Sequence, residues 1–181
     1  LNIGDVDCIT VRQYVGLIRR IKEIGNNTLE NCVDWGKLNK NFPIDDVMPE
    51  GLKAKLYNYQ KAGYLWMRYM INQNQGCIFG DEMGLGKTLQ VIALLKELSN
   101  QGSGTFLVVA PVSLLQNWKN ECAKFAPDLS VKIHHGSKRT GFYKELEEYD
   151  VVVMAYSTVS SDLSLISMIR WKLVVLAEAQ N

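Results

Sequence analysis

The 181 residues suit one domain of ordinary size, with room for an appendage. Apolar residues make up 47% of the chain, enough to build a core and too many for an intrinsically disordered protein. The net charge of +1 lacks the basic excess usual in a nucleic-acid binder, so any claim on DNA has to rest on motifs.

The longest apolar runs, such as Val151–Ala155, are far too short to cross a bilayer, so no membrane partner is expected. The start Leu1-Asn2-Ile3-Gly4-Asp5 has no basic segment followed by an apolar one, so no signal peptide is expected. It also lacks an initiator methionine, which suggests a piece of a longer protein. Cys8, Cys32, Cys77 and Cys122 are widely spaced, with no C-x-x-C pair, which argues against zinc and against a disulfide framework. Buried, reduced thiols are the expectation, in a protein that is not secreted.

In chain order, the first periodic segment is 11–24. Val11, Val15, Ile18, Ile21 and Ile24 recur every three or four positions and share a helix face. Thr10 with Gln13 reads as a capping box, and Gly25-Asn26-Asn27 as the stop. Arg12, Arg19, Arg20 and Lys22 fall on other faces and read as a solvated surface. Residues 39–51, with Pro43, Pro49 and three acidic side chains, read as a linker. Residues 1–46 are thus expected to form a short, mainly helical appendage.

From Leu52 onward short β-rich runs alternate with helical patterns. A helix over 61–71 precedes a strand at 77–79, a glycine-rich turn and a helix over Lys87–Asn100. Strands follow at Phe106–Ala110, Val131–His134, Val151–Ala155 and Leu173–Leu176, with helices near 114–125, 142–148 and 163–169. Strands of continuous Val, Ile and Leu are expected where helices cover both sheet faces. The alternation predicts right-handed crossovers and a three-layer α/β lobe over 52–181 with a mainly parallel central sheet.

Gly80-Asp81-Glu82-Met83-Gly84-Leu85-Gly86-Lys87-Thr88 lies between a predicted strand and a predicted helix, the context a phosphate-binding P-loop requires. Gly84 and Gly86 let the backbone bend so that successive N–H groups converge on a phosphate. The start of the following helix adds its dipole and free N–H groups. Lys87 would bridge the β- and γ-phosphates of ATP, and the Thr88 hydroxyl would be a Mg2+ ligand. The strict P-loop has glycine where Asp81 stands, so this is the helicase-type variant.

The run from Asp81 through Leu89-Gln90 resembles the signature of the Swi/Snf-like branch of the superfamily-two helicases, and the match continues in order over 52–181. The resemblance implies the first RecA-like lobe of a DNA-dependent ATPase that translocates on double-stranded DNA without separating its strands. Its partners would be duplex DNA, a second RecA-like lobe and DNA-bound proteins. It would be nuclear in a eukaryote, or cytoplasmic and nucleoid-associated in a prokaryote.

Residue by residue, Leu56-Tyr57-Asn58-Tyr59-Gln60 resembles the family's Q motif, so the Gln60 amide would pair with the adenine edge, although Tyr57 stands where arginine is usual. Val108 through Trp118 resembles motif Ia, which implies a DNA-backbone contact at Pro111 and Ser113. Ser113 also reads as an N-cap with Gln116 as box partner, and Trp118 as core. His134-His135-Gly136-Ser137-Lys138-Arg139 resembles the family's His-Gly turn and reads as a solvated loop, with no ligand set for a metal. Met154-Ala155-Tyr156-Ser157-Thr158 keeps only the tyrosine of another DNA-contacting motif, which leaves Tyr156 as the candidate there.

Leu173 through Gln180 stands at the Asp-Glu-x-x box. There the family's aspartate holds magnesium and its glutamate activates the attacking water. Glu178 is present, and Ala177 replaces the aspartate. An isolated loss in an otherwise intact site fits a single deliberate substitution better than drift. Magnesium is held by one or two carboxylates plus phosphates and water, so the loss matters. The resemblance also implies that the chain is truncated after this box and lacks the second lobe's arginine. The fragment is therefore expected to be inactive. A naturally degenerate nucleotide- or DNA-binding scaffold is the alternative, and an RNA-dependent relative is a further one.

Overall fold

The computed structural model describes residues 48–73, 75–79, 84–102 and 104–179. The helix expected at 11–24 and the appendage over 1–46 lie outside the described residues, as do Asp81, Glu82 and Met83 of the predicted loop. The elements in order are α1 (Asn58–Asn72), α2 (Lys87–Asn100), β1 (Phe106–Ala110), α3 (Leu115–Phe125) and β2 (Val131–His134). They continue with α4 (Tyr143–Glu147), β3 (Val151–Ala155), α5 (Tyr156–Ser161), α6 (Leu163–Ile166) and β4 (Leu173–Leu176).

The four strands form one sheet in the order β2-β3-β1-β4, and every pairing is parallel. Strands β1 and β3 are buried along their whole length, because helices cover both faces. Alternate residues of β1 divide between two cores. Phe106, Val108 and Ala110 pack with Tyr64 of α1, Ile92 and Leu95 of α2, and Trp118 of α3. Leu107 and Val109 pack with Leu146 of α4, Val159 of α5 and Ile166 of α6. The three-layer α/β expectation is met, and Trp118 is a core residue.

Helix α2 begins at Gly86, whose left-handed backbone (φ 73°) stops the loop and starts the helix. Its far end is closed by Lys172, whose ammonium donates to the carbonyls of Leu98 and of Gly102, the latter at 2.9 Å. A cation there satisfies orphan carbonyls and complements the helix dipole. Lys172 directly precedes β4, so the C-terminus of α2 lies at the amino end of the sheet. A helix of 14 residues is about 21 Å long, which carries Lys87 to the carboxyl end.

Three expectations need correction. Residues 77–79 form no ladder among the described residues: Phe79 is held by stacking on Trp66, with ring centroids 6.3 Å apart, while Cys77 and Ile78 are exposed. Three apolar residues between glycines carry too few backbone groups to pin a strand without such a ladder. Cys77 is therefore an exposed thiol, while Cys122 is buried as expected. Ser113 does not cap α3. It sits inside a 3-10 turn over Val112–Leu114 closed by Leu114 N–H on the Pro111 carbonyl at 2.9 Å, so the backbone itself supplies the helix start. Gln116 turns to Asn120 instead.

Candidate nucleotide site and sheet edge

The candidate loop is shaped by two left-handed glycines, Gly84 (φ 87°) and Gly86 (φ 73°), a conformation that costs an L side chain about 1–2 kcal/mol. The first N–H groups of α2 have no partner inside the helix and face the loop. Such a turn can host an anion through its N–H groups and the helix dipole, with Lys87 and Thr88 in the first turn.

Two glutamine side chains hold this loop from behind. The Gln60 amide donates to the Leu85 carbonyl at 3.1 Å, and the Gln90 amide donates to the same oxygen at 3.4 Å. Gln60 is almost fully buried on α1, and its oxygen accepts from the Tyr57 N–H at 3.0 Å. Both ends of the amide proposed to read a base are thus engaged within the chain. Next to it the rings of Tyr57 and Tyr59 lie 5.9 Å apart and nearly parallel, although 69% and 47% exposed.

The remaining candidates gather at the carboxyl edge of the sheet. Val109 is level with Met154 of β3 and with Leu176 of β4, so Pro111, Tyr156 and Ala177 leave three neighbouring strands at one end. The Ala177 N–H donates to the Val109 carbonyl at 2.8 Å, and the Tyr156 hydroxyl donates to the Ala177 carbonyl at 2.9 Å. Glu178 follows with φ 53°, the one described non-glycine residue in the left-handed region. Ser113 is exposed at the same edge.

The basic turn after β2 is tied down rather than freely solvated. Buried His134 meets Asp162 through Nε2 at 2.8 Å and accepts from the Thr140 N–H through Nδ1, so the proton sits on Nε2. Arg139 donates to the other Asp162 oxygen at 3.1 Å, and His135 meets the Thr158 hydroxyl at 2.9 Å. Sequence reasoning missed this network because Asp162 lies 28 positions from His134. Gln90 has no role that the sequence pattern alone reveals. The available signal was that Gln90 lies one helical turn beyond Gly86, facing back to the loop.

Among the described residues no cluster of three or more His, Cys, Asp or Glu could hold a metal, and no helix is long and apolar enough to cross a membrane. A cleft of about 320 Å³ between α3 and β2, lined by Gln116, Lys119, Lys132 and Tyr149 among others, contains none of the predicted site residues.

A parallel three-layer sheet with a glycine-bent turn feeding a helix at its carboxyl edge defines a RecA-like lobe. The SNF2-related domain model matches residues 59–181, and the chain belongs to that family of ATP-dependent helicases and remodelling ATPases. It is 35% identical over 167 residues to helicase SWR1 of Eremothecium gossypii, covering 88% of this chain and 11% of that protein. It is 35% identical over 178 residues to the chromatin-remodeling ATPase INO80 of Aspergillus terreus, covering 86% of this chain and 10% of that protein. Among solved structures it is similar to the Sulfolobus solfataricus SWI2/SNF2 ATPase core in complex with dsDNA, with 37% identity and a TM-score of 0.67, over 75% of this chain and 28% of that one. The chain spans 7% to 16% of the length of the first curated relatives it matches.

Proposed function

We propose that this chain is the ATP-binding first lobe of an SNF2-type ATPase that translocates on duplex DNA, and that it binds nucleotide without turning it over. The carrying observation is the loop itself: left-handed Gly84 and Gly86 present the start of α2, with Lys87 and Thr88, at the carboxyl edge of a parallel sheet. That geometry suits a polyphosphate. Lys87 would neutralise the β- and γ-phosphates, and the stacked Tyr57–Tyr59 pair beside Gln60 offers an aromatic surface for a base.

The residues present do not fit a carboxylate-held Mg2+. Position 177 is alanine, its carbonyl oxygen is already bonded by Tyr156, and Thr88 is the remaining donor of the predicted set. Phosphates would hold most of any bound ion. Glu178 would be the base for water, held in a strained backbone that sets where its carboxylate starts. The DNA contact is assigned to the edge bearing Pro111, Ser113 and Tyr156, where an exposed hydroxyl meets a helix start. One solved relative was captured with dsDNA, which supports duplex DNA as the partner.

The test is calorimetric titration of the chain with ATP, and phosphate release with and without duplex DNA. ATP binding without DNA-stimulated turnover is expected, and robust turnover overturns the proposal. Ala177 also supports the reading as a scaffold lobe without turnover, and Ala177→Asp in a two-lobe protein separates the two.

A further inference from the structure

The two glutamines on the Leu85 carbonyl are not equivalent. Gln60 lies beside the exposed Tyr57–Tyr59 stack, and its amide would have to leave Leu85 to pair with a base. Gln90 is 0% exposed, on the buried face of α2 against Gly63 of α1, and its one described side-chain hydrogen bond goes to the loop. Its Oε1 has no hydrogen-bond donor among the described residues, a costly state for a buried amide.

The surroundings are shaped around these amides. A Cβ on Gly63 of α1 would lie 2.2 Å from Gln90 Oε1, and one on Gly86 would lie 2.4 Å from Gln60 Nε2. Only glycine at both places lets the two side chains reach the loop. A methionine or leucine at position 90 would fill the same volume with no orphaned oxygen. The chain has an amide there instead, and its one described side-chain bond goes to the phosphate-binding loop.

We infer that Gln90 is a positioning residue for nucleotide binding: it anchors the Leu85 carbonyl permanently, while Gln60 is the exchangeable donor that can turn to a base. This rests on the nucleotide-binding reading given above. With the Leu85 carbonyl drawn toward α1 and α2, the N–H groups that follow it are left facing outward for phosphate. A base drawing Gln60 away would release that carbonyl if Gln90 were not there. Loop shape and base recognition are thereby kept separate.

The experiment titrates the 181-residue chain with ATP, GTP and inorganic tripolyphosphate, alongside the melting temperature of each variant. Gln90→Met should weaken all three ligands alike, by about 3- to 10-fold, the worth of one modest hydrogen bond. Its melting temperature should be no lower than the parent's, because the orphaned oxygen is gone. Gln60→Ala should weaken ATP more than GTP or tripolyphosphate. The double variant should lose more than the product of the two single losses, since nothing then holds the carbonyl. A merely structural glutamine cannot give weaker binding together with undiminished stability. If Gln90→Met binds all three within twofold of the parent, or loses affinity only as its melting temperature falls, the inference is overturned and the nucleotide site stands. If the parent binds none of the three, the nucleotide reading fails and takes this one with it.

Discussion

The hydroxyl of Tyr156 donates to the backbone carbonyl of Ala177 at 2.9 Å, across the end of β1. The first residue after β3 is thereby joined to the first residue after β4, and Glu178 comes next with its left-handed backbone. The turn assigned to DNA and the residue assigned to water activation thus share one hydrogen bond. Any movement of the Tyr156 turn is felt at the peptide that carries Glu178.

Lys87 supplies the charge at the candidate phosphate site. Lys87→Ala should abolish ATP binding by titration, with the melting temperature of the unliganded variant measured alongside to show that it is folded. A variant that bound ATP as tightly as the parent would remove the loop from the site.

Introducing a carboxylate tests the role of position 177. Ala177→Asp in this chain should make nucleotide binding respond to Mg2+ yet give little turnover. An arginine from a second lobe contributes about 10³–10⁵ in rate in related phosphoryl-transfer systems. The same substitution in a two-lobe protein should give DNA-stimulated phosphate release. A two-lobe Ala177→Asp variant without turnover would favour the scaffold reading.

Gly63 tests the packing behind the loop. A methyl group there meets Gln90 Oε1 at 2.2 Å and the Phe79 ring at 2.8 Å, well inside contact distance. Overpacking of this kind typically costs about 1–3 kcal/mol. Gly63→Ala should therefore lower the melting temperature and weaken ATP together, in contrast to Gln90→Met. Unchanged melting would show that the Gln90 amide and the Phe79 ring move aside without cost.

Alkaline pH should unfold the chain early. Burial, with help from Glu121, pushes the Cys122 thiol up to about 12 from an ordinary 9.0. Burial, reinforced by the hydrogen bond to Glu97, also pushes the Tyr64 phenol well above its ordinary range. Both groups stay protonated in the folded state where the unfolded chain has lost the proton, so stability falls as pH rises above about 9 through Cys122 and above about 10 through Tyr64 as well. The slope is about 1.4 kcal/mol per pH unit for each group. Melting temperatures from pH 7 to 11 should decline beyond pH 9, and more gently in Cys122→Ala.

Much of the lobe was legible in the chain alone. Phe106–Ala110 and Val151–Ala155 announce themselves as strands buried on both faces, because continuous apolar runs ended by proline or a turn have few other uses. The Gly-Leu-Gly-Lys-Thr turn was legible because its geometry demands glycine at two left-handed positions. Residues 77–79 were misread because local apolarity carries no information on whether a ladder partner exists. Gln90 and Asp162 stayed silent for a related cause. A polar side chain on an otherwise apolar helix, or an aspartate in a serine-rich stretch, acquires its meaning only from partners that folding brings from far along the chain.

Lys172 closes the far end of α2 while Gln60 and Gln90 grip the loop at its near end. The helix is consequently a braced strut running the height of the sheet, not a rod anchored at one tip. A load applied at Lys87 cannot be dissipated by fraying at Asn100, because Lys172 ties that end to the root of β4. A displacement of Lys87 along the helix axis would therefore be carried by α2 to the root of β4, the strand that ends at Leu176, one residue before Ala177.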